Sequence, residues 1–140
     1  MNQSESQPRS LGEIQGLRVM VIDDSNTIRR SAEIFLGQAG CKVILAEDGF
    51  DALAKIADLH PEVIFCDILM PRLDGYQTCA LIKKSPKFSA IPVIMLSSKD
   101  GLFDRARGRM VGSDQYLTKP FTKDSLLKAV AEFAPRAVTA

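Results

Sequence analysis

Five polar residues close short apolar runs in this chain, and their types are those that handle a phosphoryl group. Asp23 and Asp24 follow Val19-Met20-Val21-Ile22, and Asp67 follows Val63-Ile64-Phe65-Cys66. Ser97 follows Val93-Ile94-Met95-Leu96, and Lys119 follows Gln115-Tyr116-Leu117-Thr118. Three carboxylates gathered in one crevice repel one another unless a cation joins them. Oxygen donors without His or Cys beside them suit a hard ion, and magnesium is held by few protein ligands plus water and phosphate. Such an ion would neutralise an incoming phosphate and let one carboxylate attack phosphorus. Lys119 adds fixed positive charge and Ser97 a hydroxyl donor, both suited to phosphoryl oxygens. Taken singly, an Asp after a strand is a helix cap or turn former, and a Lys-Pro is a loop. The set, in this order, argues for chemistry.

The elements between these residues must bring them together. A fifth apolar run, Val43-Ile44-Leu45-Ala46, contributes no polar terminus. Helical spacing appears in Ile28, Ala32, Phe35, Leu36 and Ala39, and again in Leu53, Ile56 and Ala57 after Asp48-Gly49. A third helix is expected from near Asp74-Gly75 to about Lys83, and a fourth from about Leu102 to Val111, stopped by Gly112. The last carries Leu126, Leu127, Val130 and Phe133. Apolar runs alternating with amphipathic helices predict βαβ units and a parallel sheet covered on both faces. Right-handed crossovers then give an α/β fold, a doubly wound (βα)5 three-layer sandwich of flavodoxin-like type. Ligands in such sheets bind beyond the carboxyl ends of the strands, near the switch in strand order. An order of 2-1-3-4-5 sets the first and third strands side by side, so that Asp23, Asp24 and Asp67 converge.

The totals narrow the function. A chain of 140 residues is one domain in size. Residues 1–16, rich in Gln, Ser and Glu, read as a mobile tail, 17–134 as the domain, and 135–140 as a second loose tail. Lys+Arg 18 against Asp+Glu 17 lacks the basic excess of a dedicated nucleic-acid binder, so no nucleic-acid partner is expected. No apolar run approaches the ~18 residues of a membrane span, and no secretory signal opens the chain, so a cytoplasmic protein without membrane insertion is expected. Cys41, Cys66 and Cys79 have neither CxxC nor zinc spacing and read as reduced thiols packed as small hydrophobes.

Asp23-Asp24, the stretch from Asp67 to Gly75, Ser97, the stretch from Gly112 to Leu117 and Lys119-Pro120-Phe121 together resemble the receiver domain of bacterial two-component response regulators. The resemblance runs from about Leu17 to Phe133. Ser25 to Arg30, Asp51 to Ala57, Gly75 to Ala80 and Ser97 to Phe103 are further similar to regulators of type IV pilus chemosensory systems, which control twitching motility. The resemblance implies that Asp67 becomes a 4-aspartylphosphate, phosphorylated by a histidine kinase. It implies magnesium held by Asp24, Asp67 and the backbone carbonyl of Leu69, with Asp23 acting through water. It implies Lys119 and Ser97 on the phosphoryl group, a cis Lys119-Pro120 peptide, and a switch in which Ser97 moves and Tyr116 turns inward. The output would be protein contact with a pilus motor or regulatory protein, made by a monomer, with a phosphorylation-dependent dimer left open.

Some positions are read on their own chemistry. Leu69 cannot orient an attacking water, and Lys99 is either a second cation for the phosphoryl group or solvated. A long-lived phosphoryl group is therefore expected, shortened by Leu69→Asn. Arg105, Arg107 and Arg109 are a solvated face or a docking surface for an acidic segment. His60 reads as a loop residue, and Met20, Met70, Met95 and Met110 as packing residues. Two alternatives stand beside the switch. One is a relay intermediate that passes the group to a histidine phosphotransfer domain. The other, an aspartate-based phosphatase, wants a second Asp where Leu69 sits. The expectation is a signalling switch and not an enzyme beyond its own phosphorylation and dephosphorylation.

Overall fold

The computed structural model describes residues 11–98 and 102–133. Among them, five strands form one parallel sheet: β1 (Arg18–Ile22), β2 (Lys42–Ala46), β3 (Val63–Asp67), β4 (Val93–Ser97) and β5 (Gln115–Thr118), in the order β2-β1-β3-β4-β5. The helices between and after them are α1 (Asn26–Gln38), α2 (Gly49–Leu59), α3 (Gly75–Lys84), α4 (Leu102–Met110) and α5 (Lys123–Phe133). The predicted fold class and strand order are those observed.

The central strands read as unbroken apolar runs because both faces of the sheet are covered. Every residue of β3 and β4 is buried. Their side chains alternate between two cores. Val19, Val21, Phe65, Ile94 and Leu96 face α1 and α5, packing with Leu36, Leu126 and Val130. Met20, Ile22, Ile64, Cys66 and Met95 face the other side, packing with Ile56, Cys79 and Ile82.

Side-chain caps set where helices begin. The Ser25 hydroxyl accepts from Ile28 N at 3.3 Å at the start of α1, and Asp48 accepts from Asp51 N at 2.8 Å at the start of α2. Asp74 and Gln77 form a reciprocal capping box at α3. Gly40 (φ 86) and Gly112 (φ 91) supply the left-handed turns after α1 and α4.

Two expectations need correction. The domain begins before Leu17: Leu11–Ile14 forms a 3-10 helix, and the Ile14 side chain is wholly buried against α1 and α5. Gly16 N donates to Gly40 O at 2.8 Å, tying this segment down. Met110 is not a packing residue. It is 85% exposed at the end of α4, whereas Met20, Met70 and Met95 are buried. All three cysteines are buried and free, and burial pushes the Cys41 and Cys79 thiols up to about 11.

Candidate functional site: an acidic pocket at the end of the sheet

β1 and β3 are neighbours with Val21 opposite Phe65 and Ile22 opposite Cys66. Continuing that register by one residue sets Asp23 abreast of Asp67, at the carboxyl edge of the sheet. Adjacent strands lie about 4.8 Å apart, so the two side chains must meet. One carboxylate oxygen from each of Asp23, Asp24 and Asp67 lies within 4.8 Å of the others. Asp23 is fully buried, Asp67 is 2% exposed, and Asp24 faces solvent.

Lys119 reaches across from the loop after β5. Its Nζ lies 2.9 Å from Asp67 Oδ1 and 3.1 Å from Asp23 Oδ2. Lys119 N donates to Ser97 O at 2.7 Å, which ties the base of the lysine to the end of β4. The Lys119-Pro120 peptide is cis. Ser25 N donates to Asp23 Oδ1 at 2.9 Å, and Leu69 N approaches Asp67 Oδ1 at 3.4 Å.

One lysine does not balance three carboxylates. Burial raises the Asp67 pKa to about 6; the hydrogen bond from Lys119 lowers it, and the Asp23 charge raises it again. Burial by itself would lower the Lys119 pKa, but its hydrogen bond to Asp67 and the charges of Asp23 and Asp67 outweigh that, and the group stands above its ordinary value. The pocket holds an excess of negative charge on oxygen donors, which is the donor set of a hard divalent cation. The residues fit magnesium.

The predicted site residues come together as follows. Asp23, Asp24, Asp67 and Lys119 meet in one pocket. Ser97, 6% exposed, ends the strand next to β3. Tyr116 is 9% exposed, with the Arg105 guanidinium 4.9 Å from its ring centroid, so an inward turn would begin from a ring already withdrawn from water. Arg105 is thus more than a solvated charge; with Arg109, Asp114 and Tyr116 it lines a cavity of about 100 Å³. Leu69 is 68% exposed beside the pocket. Lys99 lies outside the described residues. His60 caps α2 in the left-handed region (φ 50), and its carbonyl accepts from Arg18 Nε.

Sequence reasoning missed three contacts. Arg29 Nη1 donates to the carbonyl of Asp23 at 2.5 Å. Arg72 Nη2 donates to Asp48 Oδ2 at 2.8 Å. The Tyr76 hydroxyl donates to the Asp104 carbonyl at 3.3 Å while Arg107 stacks on its ring at 4.4 Å, joining α3 to α4. The only signal for the last is a tyrosine inside a polar helix start.

A family model of the response regulator receiver domain matches residues 19–131. The chain belongs to the response regulator receiver family. Protein PilG of Pseudomonas aeruginosa is 71% identical to this receiver over 120 residues, 86% of this chain and 89% of PilG. Response regulator MprA of a Mycobacterium species is 36% identical over 111 residues, covering 79% of this receiver and 47% of MprA. Among solved structures, Vibrio cholerae chemotaxis protein CheY4 superposes with a TM-score of 0.81 at 30% identity, covering 84% of this receiver and 98% of that chain. No helix among the described residues is long and apolar enough to cross a membrane.

Proposed function

We propose that this receiver takes a phosphoryl group on Asp67 from the histidine kinase of a chemosensory system and controls type IV pilus twitching motility through protein contact. The observation that carries this reading is the buried Asp67 carboxylate, abreast of Asp23 and bonded to Lys119 at 2.9 Å. The similarity to PilG supports the pilus assignment.

In this reading Asp24, Asp67 and the Leu69 carbonyl would hold magnesium, with Asp23 assisting through water. The bound ion would neutralise charge on the incoming phosphoryl oxygens. The Asp67 hydrogen bonds from Lys119 and from Leu69 N both fall on Oδ1. Oδ2 is therefore the freer oxygen to attack phosphorus. The O–P bond forms as the P–N bond of the phosphohistidine breaks, and the electron pair returns to the imidazole. Lys119 needs only a small shift to bond a phosphoryl oxygen, and the Ser97 hydroxyl offers a second donor. Ser97 would move toward the group and Tyr116 would settle further inward, changing the face formed by α4, β5 and α5. The partners are that kinase and a pilus motor or regulatory protein, in the cytoplasm.

Complementation tests the reading. In Pseudomonas aeruginosa lacking PilG, the wild-type chain should restore twitching, and Asp67→Ala, expressed at the same level, should not. Equal restoration by both would overturn a phosphorylation-driven role.

A further inference from the structure

We infer that Arg72 is a positioning residue for the phosphoacceptor pocket: it straps the loop between β3 and α3 to the start of α2 and so sets how firmly the pocket takes its cation. The inference rests on the function proposed above and deepens it.

Arg72 has φ 69, in the left-handed region that a residue with a side chain seldom occupies. Such backbone persists where surrounding contacts hold it, and it often marks a functional loop. Two contacts hold it here. Arg72 Nη2 lies 2.8 Å from Asp48 Oδ2, and its guanidinium sits 5.5 Å from the centroid of the Phe50 ring. Asp48 is well placed to anchor it, because its other oxygen caps α2 by accepting from Asp51 N at 2.8 Å. The stacking also accounts for Phe50, an aromatic left 54% exposed on the first turn of α2.

The strapped loop is the one that serves the site. It leaves Asp67, and Leu69 N turns back toward Asp67 Oδ1 at 3.4 Å. Leu69 is 68% exposed, so its own side chain does little to hold its backbone. Anchoring comes from further along the loop. Met70 is buried, and Leu73 packs so closely on α2 that a Cβ on Gly49 would lie 2.7 Å from Leu73 Cδ2. Arg72 stands between these two anchors and ties the outer edge of the loop to Asp48. Releasing it loosens the outer edge of the loop that carries the Leu69 carbonyl, with Met70 and Leu73 still in place.

The Arg72 side chain is 68% exposed, so the strap adds little to global stability. Its effect should appear locally instead. Magnesium titrated calorimetrically into the full chain should bind Arg72→Ala about two- to fivefold more weakly than wild type, the range an exposed ion pair can supply. Asp48→Asn keeps a helix cap but loses the charge, and should weaken binding similarly. The double variant should be no worse than either single one, and Arg72→Lys should recover part of the loss. Without metal, amide exchange from Leu69 to Leu73 should speed up in Arg72→Ala while the melting temperature stays near that of wild type. Unchanged magnesium affinity and unchanged exchange in Arg72→Ala would overturn the strap while leaving the phosphoacceptor reading intact. Additive losses in the double variant would also overturn it. A wild-type chain that binds no magnesium would overturn both.

Discussion

Burial holds Asp67 toward its protonated form, Lys119 opposes this, and Asp23 reinforces it; the result is a pKa of about 6 against an ordinary 3.8. The folded chain thus keeps this proton more tightly than the unfolded chain. The stability that the group contributes is full below pH 3.8 and is lost as pH rises through about 6. Asp67→Asn cannot ionise. In chelator, urea unfolding should find it more stable than wild type by about 1–2 kcal/mol at pH 7.5, with the gap closing toward pH 4. A gap that does not change with pH would contradict this account of the pocket. At this scale the carboxylates and Lys119 were legible, because each follows an apolar run whose strand had to lie in the sheet. Arg72 and Asp48 were not. They are 24 residues apart and meet only through a left-handed turn that no local pattern announces.

Elements place these side chains through close approaches as well as register. Asp74-Gly75 marked a helix start in the sequence, but the glycine has a further reason. A Cβ on Gly75 would lie 2.1 Å from the Asp67 carbonyl oxygen, so α3 can begin against the Asp67 backbone only if that position is bare. Gly75→Ala should cost about 1–3 kcal/mol in urea unfolding and slow phosphorylation by acetyl phosphate, since the clash moves Asp67. Wild-type stability and rate together would show that the approach is not needed. The order of strands and helices was readable from apolar periodicity, and the caps from Ser25, Asp48 and Asp74. The end of α4 was not. In a nine-residue helix Met110 could be assigned to either face, and the structure turns it to water.

For the whole molecule, the carboxyl edge of the sheet holds the acidic pocket while the opposite end closes the core. Ile14 belongs to that closure, and Cys41 Sγ donates to its carbonyl at 3.6 Å. Its role was hidden because the apolar spacing Leu11, Ile14, Leu17 is short and set among Gly, Glu and Gln, next to a polar start to the chain. Ile14→Ala should destabilise the chain by about 2–4 kcal/mol, read by urea unfolding; a loss within 0.5 kcal/mol, about what a surface substitution costs, would return the segment to a dispensable tail. The proposed phosphoacceptor chemistry belongs to the other end. Its most direct test is intact mass after incubation with acetyl phosphate, with and without magnesium, on wild type and Asp67→Ala. Wild type should gain one phosphoryl group only with magnesium, and Asp67→Ala should gain none. An equal gain in Asp67→Ala, or no gain by wild type across magnesium and donor concentrations, would contradict it.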